Sequence, residues 1–402
     1  MTVTWSKLIC QAEKLLGGPA PFINLSSVLS SEAGSLASRA RRLAANVNHP
    51  FFSTVRSCLR GKSVNNLFSI SSAISDRLLS PITSERPSGG LIILLVGQSY
   101  TIPTISTKLC NQHRSLAEIF ETVHTAVAIH KSLVDLDDSD RNIDDHETWL
   151  KNMEVANKLA TLSGDVLLAS VSTSLARLHH AKVVDVISEA IGNMMEAEFH
   201  ELVINLVKDH SDFQYKVEKD FDGSCCEAAL LLIERHISSL SSTPNKVNPS
   251  WSDISSVVKC FGSTWACLTR LTEEREHIQR TWLSNQTANT YWSAKGVQFM
   301  KRNTSTIPSI IPQYSEFGLS EPTFADAILS CSTSRTHHKL RDIIDEVLLE
   351  YNHFGRELAE KLREYFAQIV SKAEQLNEVE NSSGLRLLGN MVDKLISDSN
   401  CC

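Results

Sequence analysis

A chain of 402 residues with 42% hydrophobic content can fill one large core or two smaller ones. A formal charge of −7 gives no reason to expect nucleic-acid binding and is poorly suited to an anionic membrane surface. Glycine (16) and proline (11) are sparse, which disfavours a turn-rich β architecture and favours long helices. No apolar run approaches the roughly 20 residues that a bilayer span needs, so no transmembrane segment is expected. The ten cysteines form no C-x-x-C pair and no zinc spacing, and the adjacent pairs Cys225-Cys226 and Cys401-Cys402 are poorly placed for ordinary disulfides. A reducing compartment follows, in which the sequons at Asn24, Asn285, Asn303 and Asn381 carry no meaning.

In chain order, residues 3–16 predict a short amphipathic helix, stopped by Gly17-Gly18-Pro19. The stretch 26–47 is rich in Ser, Ala and Arg with one acid, Glu32, a composition shared with mitochondrial transit segments. Its Leu29, Leu36 and Leu43 recur at helical spacing, and it is read as part of a set of N-terminal helices over 1–50. A helix pair is expected over 50–80, then a loop, PITSERPSGG, over 81–90 with a solvated Arg86, then a buried helix segment over 91–97.

The helix at 114–135 places Leu116, Ile119, Phe120, Val123, Ala126, Val127, Leu133 and Val134 on one face. An acidic loop follows over 136–147, carrying Asp137, Asp138, Asp140, Asp144 and Asp145. It lacks the glycine and terminal glutamate of a calcium loop, so it reads as solvated. Helices are expected over 157–178 and 182–199, with His179-His180 as helix-end residues. The stretch 203–222 is charged and irregular, and reads as a diverged insertion. Helix resumes over 225–240 and again from Trp251; 295–321 is a proline-containing break, and 335–398 predicts two amphipathic C-terminal helices within 335–402. The whole, 1–402, reads as a single helical domain.

Two of these helices carry a recognisable pattern. Glu121, His124, Ala126 and His130 fit E-x-x-H-x-A-S-L-x-H-D-D-x-x-D, and the run NKLATLSGDVLLA fits A-x-L-x-G-D-x-L-L-A. Together they resemble the trans-polyprenyl diphosphate synthase family. The resemblance implies the all-α isoprenoid-synthase bundle, with helices around a central cavity. Active members hold Mg²⁺ between aspartates and the substrate diphosphate, which neutralises the leaving group as it ionises.

At the first aspartate motif this chain has Lys131, Ser132 and Asp135. A lysine cannot ligate Mg²⁺ and repels it. The second motif is F-G-x-x-x-G-x-A-F-Q-x-x-D-D-x-x-D in the family. Here Phe261 and Gly262 match, but Ala266 and Arg270 replace the second glycine and the glutamine, and Glu273, Glu274 and His277 stand at the aspartates. With Arg275 among them, that stretch reads as a solvated, salt-bridged face. The family's G-K-R loop ends here as Gly90-Leu91, its R-R-G-x-P stretch offers Arg141 alone, and its K-T pair is replaced by Gly223 and Ser224.

Within the family the chain resembles the second, non-catalytic subunit of decaprenyl (all-trans-polyprenyl) diphosphate synthase. The expectation is a regulatory subunit with no catalytic, cofactor or metal residues of its own. It would join a catalytic homologue that binds Mg²⁺, in a mitochondrial hetero-oligomer making the side chain of ubiquinone. Two rivals are weighed against it: a self-sufficient prenyltransferase using Glu273, Glu274 and Asp135, and a scaffold that uses the inactive fold. The double-cysteine end at Cys401-Cys402 is similar to that of geranylgeranylated small GTPases, whose modification needs a body that an escort recognises.

Overall fold

Every regular element among the described residues is an α-helix. The computed structural model describes residues 4–17, 51, 86–100, 107–130, 132–133, 146–204, 213–240, 251–288, 334–376 and 383–400. The helices are α1 (Trp5–Leu15), α2 (Gly89–Ser99), α3 (Thr107–His130), α4 (His146–Arg177) and α5 (Ala181–Ile204). They continue with α6 (Phe213–Leu240), α7 (Trp251–Ala288), α8 (Ser334–Leu376) and α9 (Ser383–Asn400). Two compact units result, one of Met1–Gly18, Ile92–His113 and Ala181–Cys402, the other of Pro19–Leu91 and Arg114–His180.

In the first unit α6 packs against both α5 and α7, α8 lies on α7, and α9 is held by α1, α7 and α8. Phe221, Phe261, Leu268, Leu362 and Leu388 are fully buried, and burial of such side chains contributes about 1.5–3 kcal/mol each. Phe261 packs on Phe366 with ring centroids 6.4 Å apart, and Trp5 meets Trp265 edge-on at 6.5 Å. Helices α6 and α7 approach closely at two glycines. A β-carbon on Gly223 would lie 2.2 Å from Ser263 Oγ and 2.5 Å from the Lys259 carbonyl oxygen, and one on Gly262 would lie 2.7 Å from Cys226 Sγ.

In the second unit the expected α3 face is buried at Leu116, Ile119, Phe120, Val123, Ala126 and Val127. Leu133 is a correction: it is 45% exposed because the helix ends at His130. Ser132 turns the chain there, its N–H donating to the Ile129 carbonyl at 3.1 Å and that of Leu133 to His130 at 3.2 Å. Helix α4 ends with His179 at φ 51°, a left-handed position just past the last turn, which agrees with its reading as a helix-end residue.

Other expectations are corrected by the same packing. Gly89 and Gly90 open α2 rather than close a loop, and Arg86 is buried, not solvated. Residues 146–147 begin α4, and 213–222 are the first part of α6 rather than irregular chain. Within α4 the segment Leu150–Arg177 is long and apolar enough to cross a membrane by length and composition. Scanning for an unbroken apolar run missed it, because Ala, Ser, Thr and Gly interrupt the run while Asp165 is the one ionisable residue in 159–176. The readings of 26–47, of 52–80, of the loop at 136–145 with Arg141, of 241–250, of 295–321 and of Cys401-Cys402 lie outside the described residues.

Candidate functional site

Three of the four family-pattern residues of α3, Glu121, His124 and Ala126, sit in the core. Glu121 is buried, and its Oε1 accepts the Gly90 N–H at 3.0 Å. That N–H is one of the orphan donors of the first turn of α2, where a carboxylate also complements the helix dipole. His124 is buried with its ring 4.4 Å from that of Phe120. The buried Thr125 hydroxyl donates to the Glu121 carbonyl at 2.7 Å. His130, partly exposed, directs Nε2 at Asp165 Oδ1 (3.3 Å) and at the Thr161 carbonyl (3.2 Å).

Of the first-motif positions, Lys131 and Asp135 lie outside the described residues. Ser132 is buried, and its hydroxyl donates to the Ile129 carbonyl at 2.6 Å, so it closes the helix end. Of the second-motif positions, Glu273 is partly exposed on α7, while the side chains of Glu274 and His277 lie outside the described residues. Arg275 overturns the solvated-face expectation, being 4% exposed. It donates from Nη1 to Asn352 Oδ1 at 2.9 Å and to the Ser399 carbonyl, and from Nη2 to the Asp398 carbonyl at 2.7 Å.

A signal for this burial existed in the sequence: Phe261, Trp265, Leu268, Thr272 and Arg275 recur at spacings of four and three, one continuous helix face. The apolar part of that stripe ends at Leu268, which is why Arg275 read as surface.

The diphosphate-anchor positions are equally absorbed. Leu91 and Ile92, which follow Gly90 where the family pattern has its basic pair, are 1% and 2% exposed. Gly223 lies against the backbone of α7, and Ser224 beside it is buried. Cys225 and Cys226 are buried in the same helix. Burial pushes both thiols well above their usual range, with Asp222 adding to it, so neither is poised as a nucleophile or ligand.

Among the described residues no group of three or more His, Cys, Asp or Glu could hold a metal ion. A serine hydroxyl committed to a carbonyl and a buried guanidinium beside the glutamates do not fit a Mg²⁺ site.

The described site residues therefore hold helices together, and three comparisons carry the identification. The family model "Polyprenyl synthetase" matches residues 89–225. The chain is 30% identical over 206 residues to the human "All trans-polyprenyl-diphosphate synthase PDSS2", covering 49% of this chain and 45% of that protein. It is 38% identical over 112 residues to the Neurospora crassa "Probable hexaprenyl pyrophosphate synthase, mitochondrial", covering 28% and 24% of the two. It thus spans less than half the length of these curated relatives.

Among solved structures, the geranylgeranyl pyrophosphate synthetase of the archaeon Geoglobus acetivorans superposes with a TM-score of 0.50 at 13% identity. That match covers 97% of this chain and 99% of the other, and it bears on the fold alone. With Glu121, His124, His130 and Asp165 in the matched span, residues 89–225 are similar to a polyprenyl synthetase domain, and the helical fold is that of the isoprenoid synthases.

Proposed function

We propose that this chain is the non-catalytic subunit of a heteromeric polyprenyl diphosphate synthase, one that makes the isoprenoid side chain of ubiquinone in the mitochondrion. One observation carries the reading: positions that would hold metal or diphosphate are committed to packing. Leu91 and Ile92 are in the core, Gly223 is closed by α7, Ser132 is tied to the Ile129 carbonyl, and Arg275, between the second-motif positions, is buried against α9. A substituted ligand could be restored one residue at a time, whereas a position filled by a neighbouring helix cannot. This weighs against a self-sufficient prenyltransferase built on Glu273, Glu274 and Asp135. The "mitochondrial" in the name of the Neurospora crassa relative supports the compartment.

Mg²⁺ and both substrates then belong to a catalytic homologue that keeps its aspartate-rich motifs. A surface for it exists on α4, where Val155, Leu162 and Val166 are 37%, 53% and 36% exposed at i, i+7 and i+11. Large apolar side chains gathered on one exposed helix face mark an association surface more often than chance. The test co-expresses this chain with the catalytic homologue of its own organism and measures co-elution and product length. A stable complex that makes longer product than the homologue alone is the expected result, with Leu162→Glu weakening co-elution. A homologue that makes full-length product unaided and never co-elutes rules the subunit reading out and leaves the scaffold reading.

A further inference from the structure

The carbonyls of the last turn of α9 have no partner within their helix, and the negative end of the helix dipole lies there. Arg275 of α7 supplies the missing donors. Its planar fork reaches the Asp398 carbonyl at 2.7 Å through Nη2, and the Ser399 carbonyl and Asn352 Oδ1 of α8 through Nη1. The Asp398 side chain works in the opposite direction. Its Oδ2 accepts the Trp5 indole N–H of α1 at 2.8 Å, and its Oδ1 accepts the Lys394 ammonium one turn back. Residue 398 thus links α1 through its carboxylate and α7 through its carbonyl.

The geometry points to α9 being a strap, fastened by Arg275 across the second-motif stretch of α7 and coupled through Asp398 to α1, so that α1, the end of α9 and 270–276 open together. Two features make the fastening costly to release. Arg275 and Ser399 are 4% and 3% exposed, so withdrawing residues 398–399 leaves a buried cation unpaired. The Arg275 Nε is already buried without a hydrogen-bond partner among the described residues. A closed strap commits 270–276 to the structural role, whereas an open one frees the guanidinium beside Glu273. The inference does not depend on the subunit reading.

Hydrogen–deuterium exchange of the full chain tests it. Arg275→Met keeps the buried stem and removes the fork. It is expected to speed exchange at least tenfold at 5–12, 270–276 and 395–399, leaving 150–177 unchanged. Trp5→Phe removes one hydrogen bond 393 residues away in sequence and is expected to speed the same three segments several-fold. If Arg275→Met does not fold, Arg275→Lys replaces it, retaining the charge without the fork. Acceleration confined to the mutated helix, spread equally into 150–177, or absent from 270–276 in Trp5→Phe overturns the strap.

Discussion

His130 and Asp165 meet where α3 ends against α4, with Nε2 of the histidine 3.3 Å from the carboxylate. The approach depends on Gly164, where a β-carbon would lie 2.1 Å from that same nitrogen. Thr161, one turn earlier on α4, receives the ring through its carbonyl at 3.2 Å. The pairing is structural: a partly exposed imidazole is held between a carboxylate and a helix carbonyl, with glycine making the room.

Alanine at two helical glycines should therefore act with opposite signs. Gly164→Ala must displace the His130 ring from both partners, and overpacking of this kind destabilises by about 1–3 kcal/mol. Gly192 on α5 is exposed, with nothing within 4 Å of a β-carbon. Gly192→Ala should stabilise by about 0.5–1 kcal/mol through helix propensity. Urea midpoints of the two variants against wild type decide it, and equal shifts would contradict the account.

Restoring a family lysine should fail for lack of space. Gly223→Lys drives a side chain into Ser263 and the Lys259 carbonyl, where main chain cannot yield cheaply. A loss of about 3 kcal/mol is expected, with no gain in affinity for inorganic diphosphate by calorimetry. A variant with the wild-type midpoint that binds diphosphate would show the position to be open.

Stability should fall on mild acidification through His113. The ring is buried, and its Nε2 hydrogen-bonds the Ala229 carbonyl at 3.0 Å. Burial lowers its pKa to about 4, the hydrogen bond opposes this, and His236 adds a small further lowering. The folded chain keeps this ring neutral while the unfolded chain protonates it near 6.5, so the stabilisation is complete above that pH. It is lost as the pH falls from about 6.5 towards 4, by about 3 kcal/mol from this group at the limit. Unfolding free energies at pH 7.5 and 5 should differ less in His113→Gln than in wild type. An unchanged difference would assign the acid sensitivity elsewhere.

The single repair Lys131→Asp should yield no condensation of isopentenyl diphosphate with an allylic diphosphate in the presence of Mg²⁺. The other anchors remain absent, with Leu91 and Ile92 in the core, and groups that act as a unit do not add singly. Product from that variant, with contaminating synthase excluded, would overturn the assignment of those positions.

The helical class, the buried face of α3, and the two C-terminal helices were legible in the sequence, because apolar periodicity reports which face of a helix is buried. So was the resemblance at Glu121, His124, His130 and the LSGD turn, since it rests on residue types at fixed spacing. Where an element starts was less legible. Helix α6 begins at Phe213 and α4 at His146, each in a stretch dense in polar and charged residues. A polar face extends a helix as readily as an apolar one once the next turn is anchored.

What the tertiary structure alone decided is the use made of the diverged positions. Arg275 has the composition of a surface residue, and only the arrival of the end of α9, 123 residues later, makes it a buried cap. Gly223 reads as a missing lysine, and only the backbone of α7 shows that the place has been filled. Glu121 reads as part of a ligand pattern, and only α2 shows its carboxylate bound to a main-chain N–H. In each case the residue type is local information, while its partner comes from a distant segment. Burial, which turns a charged group from solvated to committed, is a property of the assembled helices and not of the sequence around it.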